Sequence, residues 1–300
     1  MDNHSIQLQK VERLANAGKL ARLLHHPGRY LQAMLLSKLL YPLTHKGSLK
    51  KAPLFFGGEM QVLLPAATDI YLAGGKTHSS EIRLARYLIN QLRPGDVFLD
   101  IGAHFGYFTL LAASLVGDAG KVFAIEPARE TYALLKANAE AKHNVQLFHN
   151  AVSDKNESVS FYEFPVLYSE YNTLDAEKFQ NEEWIKKYNP QRTEVQAVTI
   201  DGFLSGNGFV PDIIKIDVEG AEIQAVTGGA KTWADKSPVL VMEYLDEGGD
   251  SPYTQAAAVM YSYGYRSYMI TGDGTTAEVK DILSYMRQHN MTSENIVFRK

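Results

Sequence analysis

From residue 97 onward, short apolar strands and amphipathic helices alternate regularly, and this pattern leaves few folds open. Chains of this kind form a mostly parallel sheet with helices packed on both faces. We therefore predict an α/β fold built on a doubly wound, mostly parallel sheet of seven strands, the last two forming an antiparallel pair. The predicted strands are Val97–Ile101, Val122–Ile125, Val145–Phe148, Ile213–Ile216, Val239–Met242, Tyr265–Ile270 and Ile296–Phe298.

The segment before the alternation has a different composition. Residues 1–51 contain nine Lys and Arg but only Asp2 and Glu12 as acids, so this segment carries +7. Because the whole chain carries −4, the remainder carries −11. Leucines recur at helical spacing among the basic residues, which predicts helices over residues 5–41 with a break near residue 27. Such a segment either packs as a helical cap or makes a peripheral contact with an anionic membrane.

Three regions are predicted along the chain. Residues 1–57 form the basic helical extension, residues 58–78 a β-hairpin, and residues 79–300 the main domain, with an insert at about 155–200. The hairpin is predicted from two short apolar runs, Met60–Leu64 and Ile70–Ala73, separated by a turn at Pro65.

Composition excludes several classes of protein. The chain has no cysteine, which excludes a disulfide scaffold, a thiolate zinc site and a cysteine nucleophile. Its most apolar stretch, Leu31–Leu43, has about 13 residues and includes Lys38, whereas a spanning helix needs about 20. No signal-peptide pattern is visible. We expect a cytoplasmic protein, peripheral at the membrane if the basic segment binds there, and no nucleic-acid partner.

The first predicted strand leads into a turn with two glycines, Asp100-Ile-Gly102-Ala-His-Phe-Gly106. A dinucleotide-binding turn would need further glycines where the chain has His104 and Tyr107, so NAD and FAD are disfavoured. S-adenosylmethionine has no phosphate but carries a sulfonium cation. The two glycines allow such a ligand to approach the backbone closely, and the carboxylate at the end of the strand favours its positive charge. The alternative is a tight turn in which Asp100 bonds to the start of the next helix.

The next two strand ends carry further candidate cofactor contacts. Glu126-Pro127 follows the second strand about 20 residues after Gly106, where an acid can take the hydroxyls of a ribose. The alternative is a surface glutamate before a helix. After the third strand, the loop Asn150–Asp154 is placed to flank an adenine, with Ser153 or Asp154 as contacts. An Asx turn is the alternative for Asp154.

Acids also follow the fourth and fifth predicted strands. Asp217 and Glu219 lie just after Ile213–Ile216, and Glu243 follows Val239–Met242. The alternative is that Asp217 caps the following helix and Glu219 lies in its first turn. Lys215, inside an apolar strand, needs a partner if it is buried. Because parallel strands end at one edge of the sheet, these acids are predicted to converge on one cleft.

With these segments the chain resembles the FkbM family of S-adenosylmethionine-dependent methyltransferases over about residues 78–300. One departure is His104, where the family usually has Asn. The resemblance rests on Asp100–Thr109, Ala124–Pro127, Asn150–Asp154, Thr199–Asp201, Ile214–Glu222, Glu243 and Asn295–Phe298, with Glu81 as an upstream acid.

The resemblance implies a class I, Rossmann-like methyltransferase domain that methylates a hydroxyl of a sugar, glycolipid or polyketide-like metabolite. Asp217 is the first candidate general base, with Glu219 and Glu243 behind it; Asp217 is also a candidate for orienting the cofactor or acceptor. No metal is predicted, although Asp217 and Glu219 are able to ligate Mg²⁺. The predicted cofactor-binding residues are Glu81, Asp100, Gly102, Ala103, His104, Gly106, Tyr107, Phe108, Glu126, Pro127, Ala151, Ser153 and Asp217.

Two other functions remain open on the sequence alone. One is a module that binds the cofactor without catalysis, and the other is a nicotinamide-dependent oxidoreductase, which the glycine spacing disfavours. The aromatic residues of the insert, Tyr168, Tyr171, Trp184 and Tyr188, either form a lid over the acceptor or pack the insert onto the domain.

Overall fold

The computed structural model describes residues 3–174 and 190–300. Its strands in chain order are β1 (Ser48–Pro53), β2 (Glu59–Leu64), β3 (Val97–Ile101), β4 (Lys121–Ile125), β5 (Val145–Phe148), β6 (Ala151–Val152), β7 (Ser158–Glu163), β8 (Gln191–Val198), β9 (Ile213–Ile216), β10 (Val239–Leu245), β11 (Arg266–Ile270), β12 (Thr276–Glu278) and β13 (Ser293–Arg299).

The helices precede, connect and follow these strands. They are α1 (Asn3–Ala15), α2 (Lys19–His25), α3 (Pro27–Leu35), α4 (Tyr41–Thr44), α5 (Thr68–Ala73), α6 (Ser79–Gln91), α7 (Tyr107–Val116), α8 (Arg129–Ala139), α9 (Ile200–Asn207), α10 (Glu222–Thr227), α11 (Pro252–Ser262) and α12 (Ile282–Gln288). Two π-helical turns cover Leu36–Leu40 and Thr232–Lys236, and a 3₁₀ helix covers Val166–Tyr171.

The predicted doubly wound sheet is confirmed. Its strand order is β12-β11-β13-β10-β9-β3-β4-β5. The five strands from β10 to β5 are parallel, and β13 runs antiparallel between β10 and β11. All seven predicted strands lie in this sheet, and the short β12 adds an eighth at its edge. Strand order reverses between β3 and β9, where an open α/β sheet leaves a crevice beyond its carboxyl ends.

Side chains of the central strands alternate between two apolar layers. Phe98 lies in the layer that contains α6 and α7, whereas Leu99 and Ile101 lie in the opposite layer with Trp233. Burial on both faces explains why these strands are continuously apolar. The insert adds a separate small sheet, in which β7 pairs antiparallel with β8.

The predicted hairpin is wrong in its pairing. Residues Ile70–Ala73 belong to helix α5, which ends at Gly74 in the left-handed conformation. The partner of β2 is β1, and the turn between them uses Gly57 and Gly58 at positive φ. The sequence signal was weak because β1 reads Ser-Leu-Lys-Lys-Ala-Pro, with only Ala52 buried. Strand β1 thus lies within residues 1–57, the range predicted to form the helical extension.

The N-terminal helices pack on the domain along one side only. Leu8 and Val11 of α1 and Ala33 of α3 are buried, as a cap requires. Several leucines between residues 20 and 43 are nevertheless exposed. The break near Pro27 is confirmed, and a second break separates α1 from α2. Among the described residues, no helix combines the length and the apolar character needed to cross a membrane.

Candidate functional site

A cleft opens at the carboxyl ends of β3, β4, β9 and β10, where the strand order reverses. Three predicted site residues, Asp100, Gly106 and Ser153, do not line it. The predicted residues that do line it are Glu81, Gly102, Ala103, His104, Tyr107, Phe108, Glu126, Pro127, Ala151, Asp217, Glu219 and Glu243.

The glycine turn after β3 forms the floor of this cleft. Gly102 has a φ of +77°, and a Cβ there would lie well under 3.0 Å from the backbone oxygen of Asp217. The N–H groups of Gly102 and Ala103 donate to the carbonyl of Ile125, at 3.0 and 3.1 Å. Gly106, at a φ of +91°, begins α7 against the side chain of Leu135. Both glycines are therefore required by the backbone path.

Asp100 lies below the floor and is fully buried. Its Oδ2 accepts a hydrogen bond from the Thr109 hydroxyl at 2.6 Å, and its Oδ1 lies 3.5 Å from Nζ of Lys215. Thr109 is in the first turn of α7, so the geometry matches the alternative in which Asp100 bonds to the helix start. This carboxylate positions the turn from beneath the cleft.

Glu126 bridges two backbone segments at the end of β4. Its Oε2 accepts the N–H of His104 at 2.9 Å, and its Oε1 accepts the N–H of Ala128 at 3.0 Å. Burial raises the pKa of Glu126 to about 7, against the opposing effect of these two hydrogen bonds. The side chain is thus held at the cleft with lone pairs left for a ligand.

His104 has a φ of +50°, a conformation that Asn and His adopt more readily than most residues. Its ring stacks on Phe105 with centroids 3.8 Å apart, and its Nε2 lies 3.1 Å from the Ser169 hydroxyl. Burial lowers the pKa of His104 to about 4, so the ring is neutral at physiological pH. It contributes shape and a hydrogen bond to the cleft wall.

The acids after β9 and near the end of β10 do converge, as predicted. Carboxylate oxygens of Asp217, Glu219 and Glu243 all lie within 4.8 Å of one another. Nζ of Lys215 lies 3.2 Å from Asp217 and 3.5 Å from Asp100, which supplies the partners that a buried lysine needs. Burial opposes the charge of Lys215, but Asp217 and Asp100 outweigh it and raise the pKa of Lys215.

The pKa values of Asp217 and Glu243 are shifted in opposite directions. Burial together with the negative charges of Asp217 and Glu219 raises the pKa of Glu243 well above its ordinary value. Burial acts the same way on Asp217, but Lys215 and a hydrogen bond from Glu243 outweigh it and lower the pKa of Asp217. The surroundings therefore favour the ionised form of Asp217 and the protonated form of Glu243.

Glu222 holds the loop that carries two of these acids. It is fully buried, and its carboxylate accepts the N–H groups of Val218 at 3.1 Å and Gly220 at 2.9 Å. The loop needs this support because Glu219 and Gly220 both have positive φ. Glu222 lies at the end of Ile214–Glu222, one of the segments that carry the family resemblance, but the sequence alone predicts no role for it.

Replacing Glu222 by Ala is expected to lower the free energy of unfolding by about 2–4 kcal/mol. The reason is that the N–H groups of Val218 and Gly220 lose their acceptor, at about 1–3 kcal/mol for each group left without a partner. Chemical denaturation measures this loss. The exposed Glu130→Ala serves as control and should change the free energy by less than about 0.5 kcal/mol. Equal effects of the two substitutions would contradict the assigned role.

Lys76 is a site residue that the sequence did not indicate. Its Nζ lies 2.9 Å from Glu81 and 2.8 Å from Glu170, and all three line the cleft. Burial raises the pKa of Glu81 to about 7, although Lys76 acts in the opposite direction. Glu170 belongs to the insert, 94 residues away in sequence from Lys76. No local pattern predicts such a pairing.

The described part of the insert brings both polar and apolar side chains to the cleft. Tyr168 does not line the cleft. The side chain of Tyr171 and all of Trp184 and Tyr188 lie outside the described residues, so the lid remains a prediction. The insert residues that do line the cleft are Phe161, Ser169, Glu170, Asn172 and Leu174.

The predicted adenine contacts are only partly brought to the cleft. Ala151 lines it together with Asn150 and Val152. Ser153 is buried outside it, and its hydroxyl donates to Oδ1 of Asp154 at 3.2 Å. Only the first half of the predicted loop therefore reaches the cleft.

Comparison with known proteins gives one family match. The family described as "Methyltransferase FkbM domain" matches residues 100–290. Two curated proteins are similar. "2-O-methyltransferase NoeI" of Sinorhizobium fredii (strain NBRC 101917 / NGR234) is 26% identical over 190 residues, 59% of this chain and 75% of that protein. "Methyltransferase 1" of Beauveria bassiana (strain ARSEF 2860) is 28% identical over 187 residues, 57% of this chain and 73% of that protein.

Among solved structures, the "Methyltransferase FkbM" of Methylobacillus flagellatus KT superposes with a TM-score of 0.42 at 14% sequence identity. The superposition covers 78% of this chain and 53% of the other, so the chain spans about half the length of that protein.

Proposed function

Since the chain belongs to the FkbM family of methyltransferases, we propose that it transfers a methyl group to a hydroxyl oxygen of a sugar, glycolipid or polyketide-like acceptor. We assign this activity to residues 79–300, including the insert at about 155–200. The observation that carries the proposal is the position of Asp217 in the cleft, 3.2 Å from Nζ of Lys215 and within 4.8 Å of the carboxylates of Glu219 and Glu243.

S-adenosylmethionine is the methyl donor, and when bound it supplies an electrophilic methyl group on a cationic sulfur. The cleft suits this ligand in charge, since six acids but only two lysines line it. The cleft also allows the ligand to approach the backbone closely, since Gly102 in the turn has no side chain. The acids are Glu81, Glu126, Glu170, Asp217, Glu219 and Glu243, and the lysines are Lys76 and Lys215.

Each part of the cleft has a proposed task in holding the cofactor. Glu126 accepts hydrogen bonds from the ribose hydroxyls, in the position where acids do so in related nucleotide-binding folds. Ala151 and its neighbours flank the base. Glu81, fixed by Lys76, faces the amino-acid end. The buried Oε2 of Glu243 has no hydrogen-bond partner among the described residues and is a further polar contact for a ligand.

Asp217 is the proposed general base. Its pKa is low, so the carboxylate is fully ionised at neutral pH and available to take the proton of the acceptor hydroxyl. Lys215 fixes its position from one side, and the hydroxyl of Glu243 from another. Proton removal by a positioned base accounts for about 10²–10⁴-fold of rate, and orientation of the acceptor accounts for much of the rest.

The acceptor class rests on the resemblance and on one relative. The name "2-O-methyltransferase NoeI" assigns oxygen methylation to that protein, and the same reaction type is proposed for this chain. We propose no metal: of the three clustered carboxylates, Asp217 already has Lys215 as its cation. Activity that survives EDTA supports this point, and loss of activity restored by Mg²⁺ would contradict it.

Calorimetry with S-adenosylmethionine and with its demethylated product tests the cofactor site. We expect both to bind with micromolar affinity and one-to-one stoichiometry. Transfer assays on a panel of glycans and polyketides then test the acceptor class. Absence of binding at millimolar cofactor would contradict the proposal, and binding without transfer to any hydroxyl would support a module that only holds the cofactor.

Cofactor affinity is expected to rise with pH through about 7. Glu126 has a raised pKa of about 7 in the folded protein, so it is protonated below that pH and loses acceptor capacity. At pH 6 roughly one molecule in ten is ionised, and affinity should be about tenfold weaker than at pH 8. Titration with 5′-methylthioadenosine measures this, because that ligand keeps the ribose but has no amino-acid group to titrate.

The matched control is Glu126→Gln, which keeps an acceptor oxygen but does not titrate. Its affinity should be weak and independent of pH between 6 and 8. A pH dependence that persists in this variant would assign the effect to another group, with Glu81 as the first candidate because its pKa is also about 7.

A further inference from the structure

Seven leucines on the N-terminal helices point away from the domain. Their exposed fractions run from 44% at Leu40 to 80% at Leu43. Lys19, Lys38 and Lys46 lie between or beside them and are also exposed. We call this set the leucine–lysine surface: Leu20, Leu24, Leu31, Leu35, Leu39, Leu40, Leu43, Lys19, Lys38 and Lys46.

Most of the surface is one side of a nearly continuous helical rod, whereas Lys19, Leu20 and Leu24 precede the rod on α2 and Lys46 follows it. The segments α3, Leu36–Leu40 and α4 follow one another without a gap. Four of the leucines are spaced by four residues along it, from Leu31 to Leu43, so they form a row. The opposite side carries Ala33 and Tyr41, both buried against the domain. The rod is therefore docked by its other face, and its leucine row faces outward.

Charge decides what kind of partner fits this row. From Arg13 to Gly58, both included, the sequence contains eight Lys and Arg and no Asp or Glu. A second copy of the chain would bring two such positive segments together, which like-charge repulsion opposes. An anionic lipid surface satisfies both features, since leucines enter the boundary between headgroups and acyl chains while lysines meet the phosphates.

We propose that the leucine–lysine surface binds the surface of an anionic lipid bilayer, with the helical rod lying in the plane of the membrane. Exposed leucines in such numbers are rare on a monomer without a partner. The leucine row with Lys38 beside it presents the apolar and cationic groups that contact the headgroup and acyl boundary of a membrane.

This docking would bring the cleft close to the bilayer. The hydroxyl of Tyr41, on the buried side of the rod, accepts a hydrogen bond from the N–H of Leu167 at 3.3 Å. Leu167 belongs to the 3₁₀ helix that carries Ser169 and Glu170 into the cleft. The rod and the cleft wall are thus in direct contact. Membrane binding itself does not depend on the proposed methyl transfer.

Co-sedimentation of the full-length chain with vesicles tests the proposal. We expect at least about tenfold tighter binding to phosphatidylcholine vesicles that contain phosphatidylglycerol than to phosphatidylcholine alone at low salt. High salt should weaken the binding, because it screens the lysines. No binding, or equal binding to both kinds of vesicle, would overturn the proposal.

Two variants locate the contact. The quadruple substitution Leu31→Ser, Leu35→Ser, Leu39→Ser and Leu43→Ser should reduce binding to anionic vesicles by about tenfold or more. The double substitution Lys38→Glu and Lys46→Glu should do the same without removing apolar area. Both change exposed positions, so calorimetric S-adenosylmethionine binding should be retained, which shows that the fold is intact.

Matched controls come from exposed residues elsewhere in the chain. Val210→Ser removes an apolar side chain that is 48% exposed, and Lys121→Glu with Lys236→Glu reverses two exposed charges. These should leave vesicle binding within about twofold of the parent protein. Controls that weaken binding as much as the surface variants would overturn the proposal. So would a dimer that dissociates in the leucine variant without vesicle binding by the parent.

Discussion

Replacing Asp217 by Asn is expected to lower kcat by about 10²–10⁴-fold while the dissociation constant for S-adenosylmethionine changes by no more than about threefold. The amide keeps the size of the side chain but cannot take a proton. Lys215 remains nearby, 3.2 Å from the original carboxylate oxygen, so the local packing should persist. Single-turnover kinetics with a methylated product as readout separates this loss from any change in cofactor binding.

Glu243→Gln is the informative comparison. Burial and the negative charges of Asp217 and Glu219 raise the pKa of Glu243 and so favour its protonated form. A neutral amide should therefore replace its hydrogen-bond donation, and kcat should fall only a few-fold. A large loss in Glu243→Gln with near-normal turnover in Asp217→Asn would move the base to Glu243. A large loss of cofactor affinity in Asp217→Asn would instead assign Asp217 to orienting the cofactor.

Replacing Gly102 by Ala should have the largest structural effect at the cleft. The new Cβ would lie well under 3.0 Å from the backbone oxygen of Asp217, at a φ of +77° that alanine disfavours. Relief of this overlap requires the ends of β3 and β9 to move apart. We expect a loss of about 3–5 kcal/mol in the free energy of unfolding, from overpacking and backbone strain together. Cofactor affinity should fall by more than about 100-fold. This corresponds to a loss of more than about 2.8 kcal/mol of binding free energy, at about 1.4 kcal/mol for each factor of ten.

Gly208→Ala separates the two causes. Gly208 ends α9 at a φ of +68°, and a Cβ there would meet nothing within 4 Å. This variant should lose only about 1 kcal/mol, the strain of the left-handed conformation alone. Similar losses in the two variants would contradict the close approach between Gly102 and Asp217.

The central sheet and the cleft edge were predictable because their signals are local. Buried parallel strands are continuously apolar, and parallel strands end at one edge. The convergence of Asp217, Glu219 and Glu243 followed from those two facts. Lys215 was also recognised as needing partners, since a lysine inside an apolar strand is costly when it has none.

The parts that were missed depend on contacts between distant segments. Asp100 resembles a cofactor ligand in sequence, but Lys215, 115 positions later, lies on the adjacent strand and takes its carboxylate. The Lys76–Glu170 pair joins the segment between α5 and α6 to the insert. The partner of β2 was missed for a different reason, because β1 is too polar to read as a strand. None of these pairings leaves a periodic trace in the chain.

Transfer of a deuterated methyl group from labelled S-adenosylmethionine tests the proposed activity most directly. The purified protein would be incubated with a glycan and lipid extract of its source cells, and the products analysed by fragmentation mass spectrometry. The predicted result is one product with the label on an oxygen atom, formed by the parent protein and absent with Asp217→Asn. Label found only on nitrogen or carbon, or equal labelling by the parent and Asp217→Asn, would contradict the account.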